Sequence, residues 1–580
     1  MARRDALRLG LSRPGLLEKA FGRRDQRSRH DQSAARVVGR LARSVEILVS
    51  VPCVIFEDEY LLAVNKPAGL NTHAPRPYAG EGIYDWLRHH EPHWAQLAII
   101  HRLDKETSGV IVFSKTELAN RALTEQFTGG SVRKKYLLLT DRPVRRKELA
   151  VKSALVRAGE KYVARPTHAG GEQAETCFHV VRSSSDGTLV EAEPLTGKTH
   201  QIRVHAAASG FPILGDTLYG GAPAARVHLH AQELTLRHPA TGGEMTLTAP
   251  VDFSADTRLT LRSALIDSRE TNAHRLIHGA ADGWPGWYVD RLGDFLLSQS
   301  DQPLTSAQRE TLAHWLGVFS LRGSYHKLLT RQVGKTNVAQ ARKALGNDAP
   351  AEFVVRENGV EFALGFNEGC SVGLFLDQRD NRRRFLTGHV AAGFALFNAE
   401  RGAQKAELEI LNTFAYTCGF SVCAAKAGAR TTSLDLSQKY LEWGKRNFAL
   451  NRLDPARHDF IYGDIFAWLR RLAKKQRQFD CVVLDPPTFS RSKEHGAFQA
   501  EKDYGELVAA ALSVLKGHGV LLASTNAAKL SPEKFLEQVT GAVRAAQRHI
   551  VQQHYAPQPP DFPITRAEPA HLKTVWLRVA

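Results

Sequence analysis

Cysteine is scarce in this chain, with six residues among 580 and none of them in a C-x-x-C pair. This spacing predicts neither a disulfide framework nor a zinc site, and we expect no bound metal. Long apolar runs are also missing, since no stretch approaches the roughly 20 residues that a membrane-spanning helix needs. Charges interrupt the N-terminus, which disfavours a secretory segment. The composition therefore predicts a cytosolic protein.

Acidic residues are fewer than basic ones, with 60 Asp and Glu against 77 Lys and Arg and a net charge of +17. Such an excess favours a polyanionic partner, because cationic side chains neutralise phosphates and release their counterions. Charge alone leaves RNA, DNA and an anionic membrane open. Residues 1–44 are dense in arginine with little apolar periodicity, which predicts a flexible basic arm. Contact with RNA and mere solubilisation both remain open for this arm.

The length of the chain and its punctuation predict several separately folding domains. In residues 45–252, short apolar runs alternate with Gly, Pro and Asn, as is typical of a strand-rich α+β domain with a mixed antiparallel sheet. We expect residues 253–350 to form a small central α+β domain that binds RNA or connects the other two domains. In residues 351–580, strand-like and helix-like patterns alternate, which predicts an α/β domain with a Rossmann-like parallel sheet.

A carboxylate stands in a polar turn within the first of these domains. Asp104 belongs to His101–Gly109, and apolar runs precede and follow that segment. An ordinary turn residue would also fit this position. However, the segment resembles the H-R-L-D-x-x-T-S-G signature of the RluA-type pseudouridine synthases, which convert uridine to pseudouridine. Further segments match that family in the same order, and they are Asn65–Leu70, Arg133–Tyr136, Leu195–Arg203 (a strand in our expectation) and Gly215–Gly220.

The resemblance implies roles for four residues of this chain. Asp104 is the nucleophile or electrostatic partner at the sugar carbon, and Tyr136 stacks on the uracil and is the general base. We expect Arg203 to pair with Asp104, because a nearby opposite charge favours the carboxylate form. Arg102 is the candidate for filling the gap that a flipped uridine leaves. For Tyr136, an aromatic of the strand core remains the alternative.

Two other features limit this interpretation. His228 and His230 would share one face of a strand, but no third metal ligand accompanies them, so a structural role is favoured. The stretch before residue 45 shows no pattern of the small ribosomal-protein-like RNA-binding module that many members of the family carry. RNA must therefore dock elsewhere.

A glycine-rich dinucleotide loop is missing from the last domain as well. Residues 406–422 predict a strand, a turn around Gly419 and the start of a helix, without G-x-G-x-x-G. A dinucleotide needs those glycines for its pyrophosphate, whereas S-adenosylmethionine has no phosphate. Asp435 ends the next predicted strand, where it can accept the ribose hydroxyls. Asp464 follows the third strand and is suited to adenine, and the fourth strand ends in Asp485-Pro486-Pro487.

Together these segments resemble class I S-adenosylmethionine-dependent methyltransferases, most closely the RlmI/RlmK-type enzymes of large-subunit ribosomal RNA. Phe375–Arg382 matches their F-L-D-Q-R-x-N-R segment, and 282–291 resembles their central RNA-binding domain. Their N-terminal PUA domain is absent. The resemblance implies catalytic roles for Asp485 and Pro486. It implies S-adenosylmethionine contacts for Gln378, Arg379, Asn412, Phe414, Tyr416, Gly419, Asp435, Asp464 and Asp485.

The positions of the cysteines bear on which atom of the base is methylated. Methylation of a cytosine carbon needs a thiolate in the loop after the fourth or the fifth strand, and neither loop holds one. Cys481 lies inside the fourth strand, and Asn526 fits an S-x-N pattern of the RlmK-like branch. That branch methylates guanine at N7, so the resemblance implies methylation of this atom in 23S ribosomal RNA or in an assembly intermediate. A 5-methylcytosine methyltransferase and an RNA-binding assembly factor with one inactive domain remain the alternatives.

Overall fold

The computed structural model describes residues 51–185, 187–329, 340–367, 371–397, 407–492, 494 and 496–580. The predicted basic arm, residues 1–44, lies outside them. No helix in these ranges is long and apolar enough to cross a membrane. The cysteines of the described part are free thiols, and no disulfide joins them.

The first part of the chain builds an 11-stranded mixed sheet. Its path runs β1-β2-β4-β10-β5-β9-β8-β6-β7, with β11 beside β10 and β3 beside β4. Neighbouring strands are antiparallel except β4 and β10, which are parallel. The strands are β1 (Val54–Glu57), β2 (Leu61–Lys66), β3 (Ala98–Ile99), β4 (Ser108–Ser114), β5 (Arg133–Thr140), β6 (Glu148–Ala158), β7 (Lys161–Arg165), β8 (Glu172–Ser184), β9 (Gly187–Pro194), β10 (Leu229–Arg237) and β11 (Glu244–Thr248).

Strand β4 lies inside this sheet because its sequence, SGVIVFS, is apolar and β-branched, and every residue of it is buried. Helices α1 (Ile83–His90), α2 (Glu117–Thr128) and α3 (Gln201–Ala208) accompany the sheet. Thr116 begins α2 with a side-chain cap on the amide of Ala119.

The prediction of a strand over Leu195–Arg203 was wrong. Strand β9 ends at Pro194, and α3 begins at Gln201. The side chain of Gln201 accepts hydrogen bonds from the amide of Lys198 (3.0 Å) and the hydroxyl of Thr196 (2.7 Å), which closes a turn ahead of the helix. The left-handed backbone of His200 (φ 56°) ends the extended segment directly before the helix, which the short apolar pattern did not indicate.

The middle of the chain forms a 5-stranded sheet in the order β12 to β16, flanked by α4 (Thr257–Leu265) and α5 (Ser306–Val318). A hairpin follows, whose two-residue turn Asn358-Gly359 has positive φ at both positions (50° and 71°), as a type I′ turn requires. The strands are β12 (Ala273–His278), β13 (Trp287–Leu292), β14 (Phe295–Ser300), β15 (Gly323–Leu328), β16 (Arg342–Gly346), and the hairpin strands β17 (Phe353–Glu357) and β18 (Val360–Leu364).

The last part is a 7-stranded sheet with helices between its strands, in the order β23-β22-β21-β24-β27-β29-β28. Strands β21 to β24 and β27 are parallel, and β29 runs antiparallel to its neighbours. Its strands are β21 (Glu409–Thr413), β22 (Arg430–Asp435), β23 (Asp459–Tyr462), β24 (Phe479–Leu484), β27 (Leu515–Thr525), β28 (Ile550–Ala556) and β29 (Lys573–Val579). Two separate two-stranded sheets accompany it, one formed by β19 (His389–Ala391) and β20 (Phe394–Ala395), the other by β25 (Phe489–Ser492) and β26 (Gly496–Gln499). The helices are α6 (Arg379–Thr387), α7 (Gly419–Lys426), α8 (Gln438–Leu450), α9 (Ile465–Lys474), α10 (Ala500–Leu512) and α11 (Pro532–Ala545).

The first and last sheets are linked by direct side-chain contacts, so the described residues form one compact unit. The indole of Trp86 on α1 bonds to Asp380 on α6, and Arg383 pairs with Glu91. The ring of His389 bonds to the carbonyl of Arg88 at 2.9 Å. Polar groups of α1 and the residue that follows it therefore form hydrogen bonds and an ion pair with α6 and β19.

Candidate active sites

Asp104 lies in the turn between β3 and β4, and two buried side chains hold that turn in place. His101 accepts a hydrogen bond from the amide of Val112 through Nε2 (3.1 Å). Lys66 is fully buried, and its Nζ donates to the carbonyls of Leu70 (2.7 Å) and Lys105 (3.3 Å). Burial lowers the pKa of Lys66 to about 7, against the opposing charges of Glu106 and Asp104. The asparagine-lysine-proline segment thus supports the turn that carries Asp104.

Arg203 connects Asp104 to a second carboxylate. Its Nη1 lies 3.3 Å from Asp104 Oδ2, which is the expected contact. Its closer partner is Asp216, which accepts from Nε at 2.7 Å and from Nη2 at 2.8 Å. Burial alone would lower the pKa of Arg203, but the hydrogen bonds and charge of Asp216, then the charge of Asp104, raise it. A permanently charged guanidinium therefore faces Asp104, whose side chain is 28% exposed and accessible to substrate.

Two aromatic side chains border the same carboxylate. His200 has a left-handed backbone (φ 56°), and its Nε2 lies 3.8 Å from Asp104 Oδ2 while Nδ1 contacts the hydroxyl of Tyr219 at 2.7 Å. Burial lowers the pKa of His200, although Asp104 opposes that shift. Tyr136 on β5 is half-buried, and burial together with the charge of Asp104 raises its pKa, which keeps the phenol protonated. Arg102 is exposed.

Sequence reasoning assigned no role to Asp216 or His200. Both residues lie inside segments that matched the family, Gly215–Gly220 and Leu195–Arg203. The sequence therefore pointed to these segments but did not indicate which side chains the two residues contact. Asp216 is buried and His200 is half-buried. Their contacts with Arg203 and Asp104 join residues that lie about 13 and 96 positions apart, which local patterns do not encode.

His228 and His230 form hydrogen bonds with neighbouring side-chain and backbone groups. His230 is buried, and its Nδ1 lies 2.7 Å from the Ser108 hydroxyl while Nε2 lies 2.8 Å from the carbonyl of Ala249. His228 Nδ1 lies 2.9 Å from the carbonyl of Arg226. Burial lowers the pKa of both rings, so they stay neutral. These contacts tie β10 to β4 and to the chain beyond β11, as the favoured structural role requires.

The second site lies where β21, β22 and β24 end at one edge of the last sheet. The loop after β21 holds three non-glycine residues in the left-handed region, Phe414 (φ 52°), Tyr416 (φ 48°) and Cys418 (φ 63°). Such backbone strain is concentrated at ligand sites. Asp435 fixes the loop, because it accepts hydrogen bonds from the amides of Tyr416 and Ser437 at 2.8 Å each. Burial raises the pKa of Asp435, although these amide bonds lower it.

Asp485 is the other carboxylate at this edge. Its Oδ1 lies 3.2 Å from Nε2 of Gln378, which also bonds to Ser524 at 2.8 Å. Burial, and then the charge of Asp377, raise the pKa of Asp485 to about 7. Pro486 is buried directly behind it, and Asn526 is exposed after the end of β27. Neither Asp435 nor Asp485 has an ion-pair partner within the described ranges.

Three other predicted cofactor residues are engaged with the protein itself. Asn412 is buried and donates to the Ser421 hydroxyl at 2.9 Å. Arg379 is buried and forms a two-bond pair with Asp561 (2.8 and 2.7 Å). Asp464 caps α9 through the amide of Ala467, as a helix-capping residue would. It also borders a narrow crevice, whose other lining includes Phe414, Phe466 and Phe498.

Gly419 begins α7 at a close contact, since a Cβ there would lie 3.3 Å from the side chain of Arg382. The cysteines near this edge are buried. Burial raises the pKa of the Cys418 thiol to about 12 and raises that of Cys481 as well. Both remain protonated, and a protonated thiol is a poor nucleophile.

Comparison with known proteins matches two families to two parts of the chain. The family described as RNA pseudouridylate synthase matches residues 60–208. The family described as S-adenosylmethionine-dependent methyltransferase matches residues 275–578. The first match contains Asp104, Tyr136 and Arg203, and the second contains Asp435 and Asp485.

Individual relatives match either the methyltransferase part or the pseudouridine synthase part of the chain. A putative ribosomal RNA large subunit methyltransferase, YwbD of Bacillus subtilis, is 31% identical over 55% of this chain and 77% of its own length. A ribosomal large subunit pseudouridine synthase C of Yersinia pestis is 36% identical over 36% of this chain and 69% of its own length. Among solved structures, SMU.776, a putative methyltransferase complexed with SAH, has 26% identity and a TM-score of 0.48, and it covers 59% of this chain and 86% of its own.

Proposed function

Since the chain belongs to the S-adenosylmethionine-dependent methyltransferase family and to the RNA pseudouridylate synthase family, we propose that it modifies large-subunit ribosomal RNA twice. It isomerises a uridine at Asp104 and methylates a base beside Asp485. The observation that carries the proposal is the presence of both carboxylate sites in one compact unit, each with its own supporting residues.

In the first reaction the base is detached from its sugar, turned and rejoined through carbon. Arg203 keeps Asp104 ionised and aimed, and Asp216 holds Arg203 in position. Asp104 then acts at the sugar carbon, as nucleophile or by its charge. Tyr136 stacks on the uracil. Its raised pKa disfavours the general-base role, because the phenol would first have to lose its proton. Arg102 is exposed and able to enter the stack that the uridine leaves.

The second site fits S-adenosylmethionine, because two partly buried carboxylates without an ion-pair partner in the described ranges stand beside a strained loop. Asp435 uses two acceptor positions for backbone amides, and a carboxylate has about four, so two remain for the ribose hydroxyls. Asp464 and the phenyl rings of its crevice are suited to adenine. S-adenosylmethionine supplies a methyl group on a sulfonium. Gln378 orients Asp485, and Asp485 with Pro486 holds the target base in line.

Guanine N7 is the methylated atom that we propose. The nitrogen lone pair needs no covalent adduct, and the buried thiols of Cys418 and Cys481 are protonated. Asn526 is exposed at the end of β27, where it is placed to contact a base. The alternative 5-methylcytosine reaction requires a thiolate, and these cysteines disfavour it.

The experiment uses ribosomal RNA from a strain that lacks the gene. The purified full-length protein is incubated with this RNA and S-adenosylmethionine, and pseudouridine and methylated bases are quantified by mass spectrometry. Wild type forms both products, Asp104→Asn forms only the methylated base, and Asp485→Asn forms mainly pseudouridine. RNA containing 5-fluorocytidine serves as a trap for the alternative. A stable protein adduct through Cys418 or Cys481 would refute methylation at nitrogen.

A further inference from the structure

A wide cleft of about 1540 Å³ lies outside both carboxylate sites, and several parts of the chain form its walls. Part of the lining comes from residues 68–81 and 225–228 of the first sheet region. Residues 281–284 come from the middle region, and 558–570 come from the last. Pockets for small ligands measure roughly 300–1,000 Å³. The size of the cleft therefore points to a polymer.

The unpaired charges of the cleft are mostly positive. Arg76, Lys105 and Arg566 line it and are exposed, and no carboxylate of the described residues pairs with them. Two lining carboxylates already pair with arginines, Asp256 with Arg258 and Asp282 with Arg262, and Glu81 lies 2.5 Å from Nδ1 of His89. Glu533 is the remaining exposed acid of the lining. The free charge of the cleft favours a polyanion.

Aromatic rings accompany these cations. Trp284, Phe253 and Tyr78 line the cleft and are partly exposed. Every nucleobase has a face that stacks on such rings, and cations beside aromatic rings are the recurring composition of sites for single-stranded nucleic acid. A duplex would hide its bases from them.

The lining adjoins both carboxylate sites. Lys105 directly follows Asp104 in the turn between β3 and β4. Ala570, from the last part of the chain, also lines the cleft and directly precedes His571. Nε2 of His571 lies 3.0 Å from Oδ2 of Asp377, and the charge of Asp377 helps to raise the pKa of Asp485. One RNA segment in the cleft would touch walls that belong to each catalytic part.

We propose that this cleft binds a single-stranded segment of the RNA substrate, so that the synthase and the methyltransferase hold the same RNA molecule. The inference rests on the proposed function for the identity of the RNA. If the two parts hold one RNA, a substitution in one part should change the reaction of the other part, and we call this a cross-effect. A charge on the methyltransferase wall supports uridine isomerisation, and a charge on the synthase wall supports methylation.

Charge reversals in the two parts test this cross-effect. Arg566→Glu is assayed for pseudouridine formation, and Arg76→Glu is assayed for methyl transfer. Each should raise KM for RNA several-fold in the reaction of the other part, with kcat little changed, because neither residue belongs to that part's site. The matched controls are Arg544→Glu on α11 and Arg121→Glu on α2, which are exposed arginines outside the cleft. They should leave both KM values unchanged.

A binding measurement separates failure of the cleft from failure of the proposed function. Anisotropy of a labelled single-stranded RNA oligonucleotide is followed against salt. Loss of one phosphate contact should reduce the salt slope by about 0.7 in each cleft variant. Full affinity and an unchanged slope in Arg566→Glu and Arg76→Glu would overturn the inference, as would KM changes confined to the part that carries the substitution. If wild type binds through the cleft but forms neither product, the proposed function fails while the inference stands.

Discussion

The indole Nε1 of Trp86 donates a hydrogen bond to Oδ2 of Asp380 over 3.1 Å. Trp86 lies on α1 in the core beside the first sheet, and Asp380 lies in the first turn of α6. The neighbouring Arg379 pairs with Asp561, and Gln378 contacts Asp485. This contact, together with the pair of Arg383 and Glu91, joins the synthase part to the segment that supports Asp485.

We expect Trp86→Phe to destabilise the protein and to weaken S-adenosylmethionine binding. The phenyl ring keeps the apolar contact but leaves the carboxylate of Asp380 without this donor, which costs about 1–3 kcal/mol. Chemical denaturation and calorimetric titration measure the two effects. Trp94→Phe is the matched control, because it loses an indole bond to Glu57 (3.0 Å) within the first part. Equal cofactor affinity in both variants would contradict coupling through Asp380.

Asp216→Asn should lower pseudouridine formation more than a change at Glu106. The amide still accepts a bond but no longer balances the charge of the buried Arg203, which then pairs more strongly with Asp104 and makes it less able to act. Glu106→Gln is the control, since Glu106 lies 3.8 Å from the same guanidinium. Single-turnover assays compare the two, and methylation serves as the measure of intact folding. Similar rates in both variants would argue against a positioning role for Asp216.

Binding of S-adenosylmethionine should release a proton near pH 6. The pKa of Asp485 is about 7, well above the ordinary value of 3.8, so the group is largely protonated there. The positive charge of the cofactor favours the ionised form and expels the proton. Calorimetry in two buffers of different ionisation enthalpy counts the protons. The release should vanish above pH 8 and in Asp485→Asn at every pH, and a pH-independent count would contradict the assignment.

The same raised pKa has a consequence for stability without cofactor. An acid whose pKa is higher in the folded state contributes stability that is fully present below the unfolded pKa of 3.8 and is lost as pH rises through about 7. Asp485→Asn should therefore gain more stability relative to wild type at pH 8 than at pH 5, because the loss begins near pH 3.8 and is complete above about 7. Thermal unfolding at the two pH values measures this difference. A constant difference across that range would show that Asp485 does not titrate there.

Asp435→Ala should weaken S-adenosylmethionine binding and leave pseudouridine formation intact. The substitution removes the acceptor that we propose for the ribose and also frees the amides of Tyr416 and Ser437, which shape the loop. Asp435→Asn is the informative companion, because the amide keeps one acceptor for the loop but loses the charge. We expect calorimetry to rank affinity as wild type, Asn, then Ala. Unchanged affinity in both would place the cofactor elsewhere.

Local sequence patterns predicted much of the architecture. Alternating apolar strands and helices predicted the α/β sheet, and strands that end at Asp435 and Asp485 placed both carboxylates at one edge, because parallel strands share their carboxyl ends. The polar turn alone left an ordinary turn residue open at Asp104, and only the resemblance of His101–Gly109 to the family signature made it a catalytic candidate.

What only the tertiary structure decided is the pairing between distant segments. The order of side chains in the sequence does not state that Asp216 holds Arg203 more closely than Asp104 does, nor that Trp86 meets Asp380 across 294 positions. Such contacts depend on how sheets and helices pack, and packing selects among partners that the sequence leaves equivalent.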